Sequence, residues 1–480
     1  MAELALELPK LCSQPIPLLK KGMAHSITLS QKQAACLLAN AFFCTFPHSN
    51  SREDRSPVPG INFSRLYRDG IPQRTREKLK CLLHYFKTVT EHMPQGNITY
   101  SRQVLKRHDL PNWETRQDFF PKLRVDSGGT IEDNGEGMLQ ADFANKYIGG
   151  GVLGEGCVQE EIRFVICPEL LVSLLFTEVL EKNEAVIITG SQRYSRYKGY
   201  ATSFEWDGGY EDTIARDNWG RHCTQVTAID AINVKRDVDC QFEADSMLRE
   251  LNKAYVGFYD PYNQRHKTAV ATGNWGCGAF GGDSRLKALI QLMAAAVAER
   301  DVCYFTYKDN KLTQDIYDIH QLITDRRLTV GDVWKFISDY SQTIRGSGGG
   351  SSRGGKGVYY SPNVNPHGRG YESASYDHST RAIGGIRKNM FEFIREKVLP
   401  TTTSHGTPSS PADHYGSAGA TSHVGSHHGT SESSYDDRHS HSTRPPLQRT
   451  SSSHSEEDSH GADDGEEDWK QITTTQSTHI

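Results

Sequence analysis

The sequence predicts an α/β fold, a sheet layered with helices, preceded by a helical region and followed by a low-complexity tail. Three observations predict it. Between about Val125 and Tyr340 short strand-like runs alternate with helical segments, the pattern of helices packed on a sheet. Two glycine-rich stretches in that region each join a strand-like run to a helix. After about Thr343 the apolar residues thin out, and Ser, Thr, His and Gly replace them. A chain of 480 residues has room for two or three domains of roughly 100–200 residues, and we divide it at 1–125, 126–342 and 343–480.

The elements follow in order. Ser30-Gln31-Lys32-Gln33 has the form of a capping box opening the apolar stretch Ala34 to Phe43, which stops before Pro47. Asn50 to Pro59 reads as a polar loop. A second helix spans about Thr75 to Met93, with Leu79, Leu82, Leu83, Phe86 and Val89 at helical spacing. In the central region the strand candidates are Met138–Phe143, Ala185–Gly190, Thr224–Ile232, Ala269–Thr272 and Val302–Tyr307. The helix candidates are Val158–Ile166, Leu170–Leu180, Ser284–Arg300 and Asp315–Thr324. Gly346 to Gly357 is a Gly/Ser linker. Beyond it the composition cannot bury enough apolar surface to offset the entropy of ordering, although Ile386 to Leu399, with Met390, Phe391, Phe393 and Ile394, suits a short helix. Twelve of the 20 histidines lie from His367 onward, at irregular spacing, and an acidic patch covers Glu456–Asp468. A solvated tail is the expected state of that segment, ahead of a metal site.

Bulk properties exclude several classes. A formal net charge of -5 argues against a protein that grips polyanions by bulk electrostatics; a polyanionic ligand would need shaped pockets and backbone N–H groups. The ten cysteines lie between Cys12 and Cys303 without a CxxC pair, which reads as reduced thiols of an intracellular protein, with Cys36 and Cys81 inside apolar helical patterns. No apolar run reaches the roughly 18 residues of a membrane span, and the N-terminus lacks a signal-peptide pattern. A soluble, non-secreted protein is expected.

The densest chemical signal runs from Asp142 through Asn145, Gly149-Gly150-Gly151 and Val152–Val158 to Gln159-Glu160-Glu161. A strand ends near Phe143. Three adjacent glycines then let backbone N–H groups approach a ligand and adopt positive φ. Acidic residues in a helix's first turn commonly do no more than oppose the macrodipole. The triple glycine, however, answers no structural need. Consecutive helical residues also point about 100° apart, so Glu160 and Glu161 cannot share one role. The second loop, Thr272 to Asp283, holds Gly273, Gly276, Gly278, Gly281 and Gly282. It lacks the ending of a P-loop and the spacing of a dinucleotide fingerprint. A glycine loop feeding a helix N-terminus suits a diphosphate, where a plain turn would use fewer glycines. The residues therefore point to a nucleotide-diphosphate site with carboxylates beside it, and leave the bond that is cut open.

The string GGGVLGEGCVQEE resembles the signature of poly(ADP-ribose) glycohydrolases. ADFANKYIGGG, QEEIRFVICPELL, VIITG, ELNKAYVGF, ATGNWGCGAFGGDSRLKALIQ and QPIPLLKKGMAHSITLSQKQAACLLANAFFCTFP are similar to that family as well, closest to its animal-type members, from about Leu11 to Tyr340. The resemblance implies a macrodomain, a mixed sheet sandwiched by helices, behind a helical accessory region. It implies cleavage of ribose–ribose O-glycosidic bonds, mainly from the chain end, with no metal and no cofactor. Glu161 matches the catalytic glutamate. Glu160 and Asn145 match residues that hold ribose hydroxyls, Asp142 supports the same motif, and Gln159 belongs to the Gln-Glu-Glu signature. Gly149, Gly150 and Gly151 and the loop Asn274, Gly276, Cys277, Gly278, Ala279, Phe280 and Gly281 would surround the diphosphate. Tyr200 matches a tyrosine that closes over the ligand, Ile131 and Glu132 match adenine contacts, Phe305 lies near them, and Tyr307 stands where the family can carry Phe. The implied partner is poly(ADP-ribose) on modified proteins, with no membrane and no sequence-specific nucleic acid, for a monomer in the nucleus or cytoplasm. Three rival readings are an inactive macrodomain that only binds ADP-ribose, a scaffold acting through the tail, and removal of the last protein-linked ADP-ribose.

Overall fold

The computed structural model describes residues 1–47, 58–68, 70–262, 267–346 and 388–399. The strands are β1 (His25–Ser30), β2 (Asn97–Val104), β3 (Leu123–Asp126), β4 (Leu139–Ala144), β5 (Glu184–Thr189), β6 (Ser195–Lys198), β7 (Glu205–Gly209), β8 (Gln225–Asp230), β9 (Val270–Gly273) and β10 (Val302–Phe305). The first helices are α1 (Ala2–Leu6), α2 (Leu8–Leu11), α3 (Gln31–Phe42), α4 (Gln73–Glu91), α5 (Ile131–Asn134) and α6 (Gln159–Ile166). Then follow α7 (Ala244–Phe258), α8 (Ser284–Val297), α9 (Asn310–Asp325), α10 (Val330–Gly346) and α11 (Met390–Val398).

The strands form an eight-stranded sheet in the order β1-β2-β5-β8-β4-β9-β10-β3, with β6 and β7 as a separate pair. From β8 to β3 all neighbours are parallel, whereas β1, β2 and β5 join by antiparallel pairing. The sheet is mixed, as expected. Its central strands β9 and β10 are buried at every residue, because helices cover both faces of a parallel sheet. One face carries α3, α4, α6 and the 3-10 helix Pro168–Leu175; the other carries α7 to α11. Alternation distributes the strand residues between them. Val186 and Ile188 of β5 enter the first core, and Ala185 enters the second.

The capping box at α3 forms as read: Ser30 Oγ accepts from Gln33 N at 3.1 Å and Gln33 Oε1 accepts from Ser30 N at 2.9 Å. Other details differ. The helix expected over Leu170–Leu180 is a 3-10 helix that ends at Leu175, because Thr177 turns away to bridge Leu19. Leu83 is 51% exposed. The buried residues of α4 are Thr75, Glu77, Lys78, Cys81, Leu82, Tyr85, Phe86 and Val89, so the helix is rotated from the leucine stripe. The region expected to be helical also supplies β1 and β2 to the sheet. The segment after 343 contributes α11, within the stretch suited to a helix; its Met390, Phe391 and Ile394 are buried in the second core, and Tyr340 donates to the carbonyl of Lys388 at 3.0 Å. The loop Asn50–Pro59, the linker Gly346–Gly357, the tail histidines and the patch Glu456–Asp468 fall largely or wholly outside the described residues. Among the described residues no helix is long and apolar enough to cross a membrane. All ten cysteines are unpaired, with Cys36 and Cys81 buried.

Candidate active site

The parallel strands β4, β9, β10 and β3 end on one side of the sheet, and the loops that leave them carry the candidate residues. Such strand ends are where open α/β sheets bind ligands. From β4 the chain passes through Gly149 and Gly150, at φ +84° and +50°, and enters α6 at Gln159. The tightness of this passage explains its glycines. A Cβ on Gly150 would stand 2.6 Å from Glu160 Oε2 and 2.7 Å from Glu161 Oε1, and one on Gly156 would stand 2.6 Å from Glu161 Oε1.

Glu161 occupies the third position of α6. Its Oε2 accepts from the N-cap N–H of Val158 at 2.8 Å, the structural service expected of an acidic first turn, while Oε1 accepts from Gly151 N, also at 2.8 Å. Glu160 points elsewhere, accepting from Asn145 N at 2.9 Å and Gly149 N at 2.7 Å. The two side chains thus have separate partners, as their angular offset requires. Both residues are buried, at 3% and 7% exposure. Asp142, on β4, is fully buried, and neither of its carboxylate oxygens has a hydrogen-bond partner among the described residues. Burial pushes Asp142 up to about 8, with Glu161 adding to the effect and Arg163 opposing it. Burial also raises Glu160 well above the usual carboxylate range; Asp142 and Glu161 reinforce it, and the amides of Asn145 and Gly149 oppose it. Carboxyls crowded together out of water resist shared ionisation.

Gln159 completes the strand edge that β4 leaves open after Gln140. Its Oε1 accepts from Phe143 N at 2.8 Å and its Nε2 donates to Ala141 O at 3.1 Å. Its own N–H donates to the hydroxyl of Tyr200 at 3.1 Å. The Tyr200 ring stands 5.0 Å from that of Tyr307, a 53% exposed residue at φ +55°. Asn145 turns its side chain to its own loop, accepting from Tyr147 N at 3.0 Å. Ile131 and Phe305 share an apolar cluster with Ala271 and Cys303, and Glu132 accepts from the hydroxyl of Tyr197.

The second glycine loop leaves β9. Asn274 ties it to β10, donating to Thr306 O at 3.0 Å and accepting from the Tyr304 hydroxyl at 3.1 Å. Gly276 and Gly281 both sit at φ +75°, and Gly282 N closes the turn on Gly276 O at 2.9 Å. Gly278 and Ala279 are exposed, while Cys277 and Phe280 are half-buried. Trp275 is buried beneath, donating to Ile229 O at 2.9 Å, and the Lys287 ammonium lies 4.3 Å from its ring centroid. Lys287 pairs with Glu250, which also pairs with Arg249. Asp230 pairs with Arg249 at 2.6 Å and with Lys253 at 2.7 Å.

Sequence reasoning missed that network, and it missed Lys78. The α4 lysine Nζ donates to the carbonyls of Val152, Gly154 and Gly156 in the first loop. A signal existed: Lys78 stands four residues before Leu82, within the buried stripe. Among the described residues no group of His, Cys, Asp or Glu is arranged to hold a metal.

Comparison with known proteins bears on this arrangement. Residues 110–314 match the family model for the macro domain fold of poly(ADP-ribose) glycohydrolase, and residues 1–102 match the model for its helical domain. The chain is similar to poly(ADP-ribose) glycohydrolase 1 of Arabidopsis thaliana, 34% identical over 394 residues that cover 68% of this chain and 71% of that protein. It is 32% identical over 333 residues to poly(ADP-ribose) glycohydrolase 2 of Caenorhabditis elegans, covering 66% of this chain and 65% of the relative. A crystal structure of the Thermomonospora curvata glycohydrolase with the inhibitor ADP-HPD matches at 17% identity and TM-score 0.28, covering 39% of this chain and 74% of that one; a likeness at that level carries no inference.

Proposed function

The chain belongs to the poly(ADP-ribose) glycohydrolase family, and from that membership we propose that Glu161 is the residue with which it hydrolyses the ribose–ribose O-glycosidic bonds of poly(ADP-ribose). The protein is a glycosidase with a macrodomain fold, and its substrate is poly(ADP-ribose). The observation that carries the assignment is the setting of Glu161. It is buried, aimed by two backbone N–H groups, and adjoins a glycine passage with no room for a Cβ at Gly150 or Gly156.

In this mechanism the acid form of Glu161 donates its proton to the departing 2′-oxygen as the ribose gains oxocarbenium character. The resulting carboxylate then takes a proton from the attacking water. Most glycosidases divide these tasks between two carboxyls. Here Glu160 orients the ribose together with Asn145, and Asp142 backs the pair from β4. The second loop receives the diphosphate on its exposed backbone at Gly278 and Ala279. Ile131, Glu132 and Phe305 form the adenine end, and Tyr200 and Tyr307 close over the ligand. Release from the chain end, one ADP-ribose at a time, follows as the main mode.

Incubation with poly(ADP-ribose), read by chromatography beside a Glu161→Asn variant, tests this reading. Free ADP-ribose from the parent, and none from a folded variant that still binds ADP-ribose, is the expected pair of results. Binding without release by the parent would leave a reader module in its place.

A further inference from the structure

Lys78 is fully buried on α4. Its three ammonium protons have three acceptors, the carbonyls of Val152 at 2.8 Å, Gly154 at 2.7 Å and Gly156 at 2.6 Å. No carboxylate lies within ion-pair distance of it among the described residues, so its direct partners are carbonyl dipoles. Burial pushes the amine down to about 8; Cys157, Glu161 and Glu155 oppose the shift, and Arg74 adds to it. An apolar side chain of similar length would spare that cost but leave three loop carbonyls without this donor. The use of a buried lysine here is therefore tied to the turn whose carbonyls it holds.

Those carbonyls belong to the turn between Gly151 and Val158, whose N–H groups hold the two oxygens of Glu161. Inside the turn only short local bonds act, such as Gly154 N and Gly156 N to Gly151 O at 2.9 and 3.1 Å. Arg74, one turn earlier on α4, donates to Glu155 O at 2.8 Å. Two cationic side chains of one accessory helix thus fix the carbonyls of residues 152, 154, 155 and 156. We propose that Lys78 is a positioning residue for the hydrolysis: by orienting the peptides of this turn it sets the N–H groups that aim the Glu161 carboxyl. This rests on the assignment of Glu161 as acid/base. Lys78 touches no reacting atom and acts through the loop.

The test uses the full chain with Lys78→Met, which keeps a long unbranched side chain and removes all three donors, and with Arg74→Leu, which alters the same loop from the surface. The measurements are kcat and KM on poly(ADP-ribose), the Kd for ADP-ribose and the folded fraction. The expected result for Lys78→Met is a loss of at least about 30-fold in kcat per folded molecule, with KM and Kd within threefold of the parent. Arg74→Leu is expected to lower kcat about three- to tenfold in the same pattern. A kcat loss that vanishes once activity is divided by the folded fraction marks a purely structural role and overturns the proposal. Should Lys78→Met fail to fold, parent-like kcat in Arg74→Leu overturns it. Parent turnover with unchanged variants defeats the Lys78 role alone, whereas absence of turnover in the parent defeats the Glu161 reading with it.

Discussion

Both glycine loops leave a parallel strand and enter a helix, yet they carry charge in opposite ways. Under the first, Gly149–Val158, sit Asp142, Glu160 and Glu161, none with a cation within ion-pair distance among the described residues; the glutamates are propped by backbone N–H groups alone. Under the second, Asn274–Gly282, every buried charge has an opposite neighbour, in the network of Lys287, Glu250, Arg249, Asp230 and Lys253. On the roles proposed above, the difference separates chemistry from binding. A group that must gain and lose a proton cannot be pinned by a permanent counter-charge, which would hold it ionised. A loop that only has to keep its shape against an anionic ligand gains from a rigid, paired foundation.

Four substitutions break or sharpen that contrast. Glu161→Gln keeps the contact to the N-cap amide and removes the proton; turnover should fall about 10²- to 10⁴-fold with little change in thermal midpoint, and a large loss of stability instead would mean the carboxylate is mainly a cap. On the other side, Lys287→Met removes one partner of a buried pair. Denaturant unfolding should report about 3 kcal/mol lost, with kcat less affected than KM; the reverse split would erase the division of labour. Asp142→Asn addresses the unpaired side through pH. A carboxyl raised from about 4 to about 8 in the folded state binds its proton more tightly there than in the unfolded chain. Its contribution to stability therefore falls as pH rises through that window. The thermal midpoint of Asp142→Asn relative to the parent should accordingly climb between pH 4 and pH 8, and a flat difference would show that Asp142 does not titrate there. The smallest effect belongs to Tyr307→Phe. The ring that faces Tyr200 survives, so KM should stay within about threefold.

The contrast also marks how far the sequence could be read. Strands such as Ala185–Gly190 and Val302–Tyr307 announce themselves because burial on both faces demands continuous apolar runs. By contrast β1 (HSITLS) and β2 (NITYSRQV) alternate with polar residues, since one side pairs hydroxyls such as Thr28 with Thr99 at 2.9 Å in the open. They passed as parts of a helical region. The first glycine loop was legible as a special passage because three adjacent glycines are rare. The sequence did not show that the passage itself has no room for side chains at Gly149 and Gly150. The roles of Lys78 and Lys287 were not legible, because a lysine in an amphipathic pattern reads as a solvated one. Only the fold brings Lys78 to carbonyls more than seventy residues away.

The placement of β2 has a consequence for how the chain is made. One edge of β2 pairs with residues 184–189 of β5, and β5 in turn pairs with residues 225–228 of β8. On a ribosome the first hundred residues therefore emerge with Tyr100 lacking Phe176 and the Glu169 carbonyl, and with an open strand edge, since a two-stranded pair is marginal alone. That edge waits for more than eighty further residues before a partner exists, an interval in which nascent chains are prone to pair with one another. A nick between the two family-matched segments, after residue 102, would fall inside β2, so each piece would inherit an incomplete sheet. Separate expression of the halves should yield aggregates where co-translation of the whole yields soluble protein.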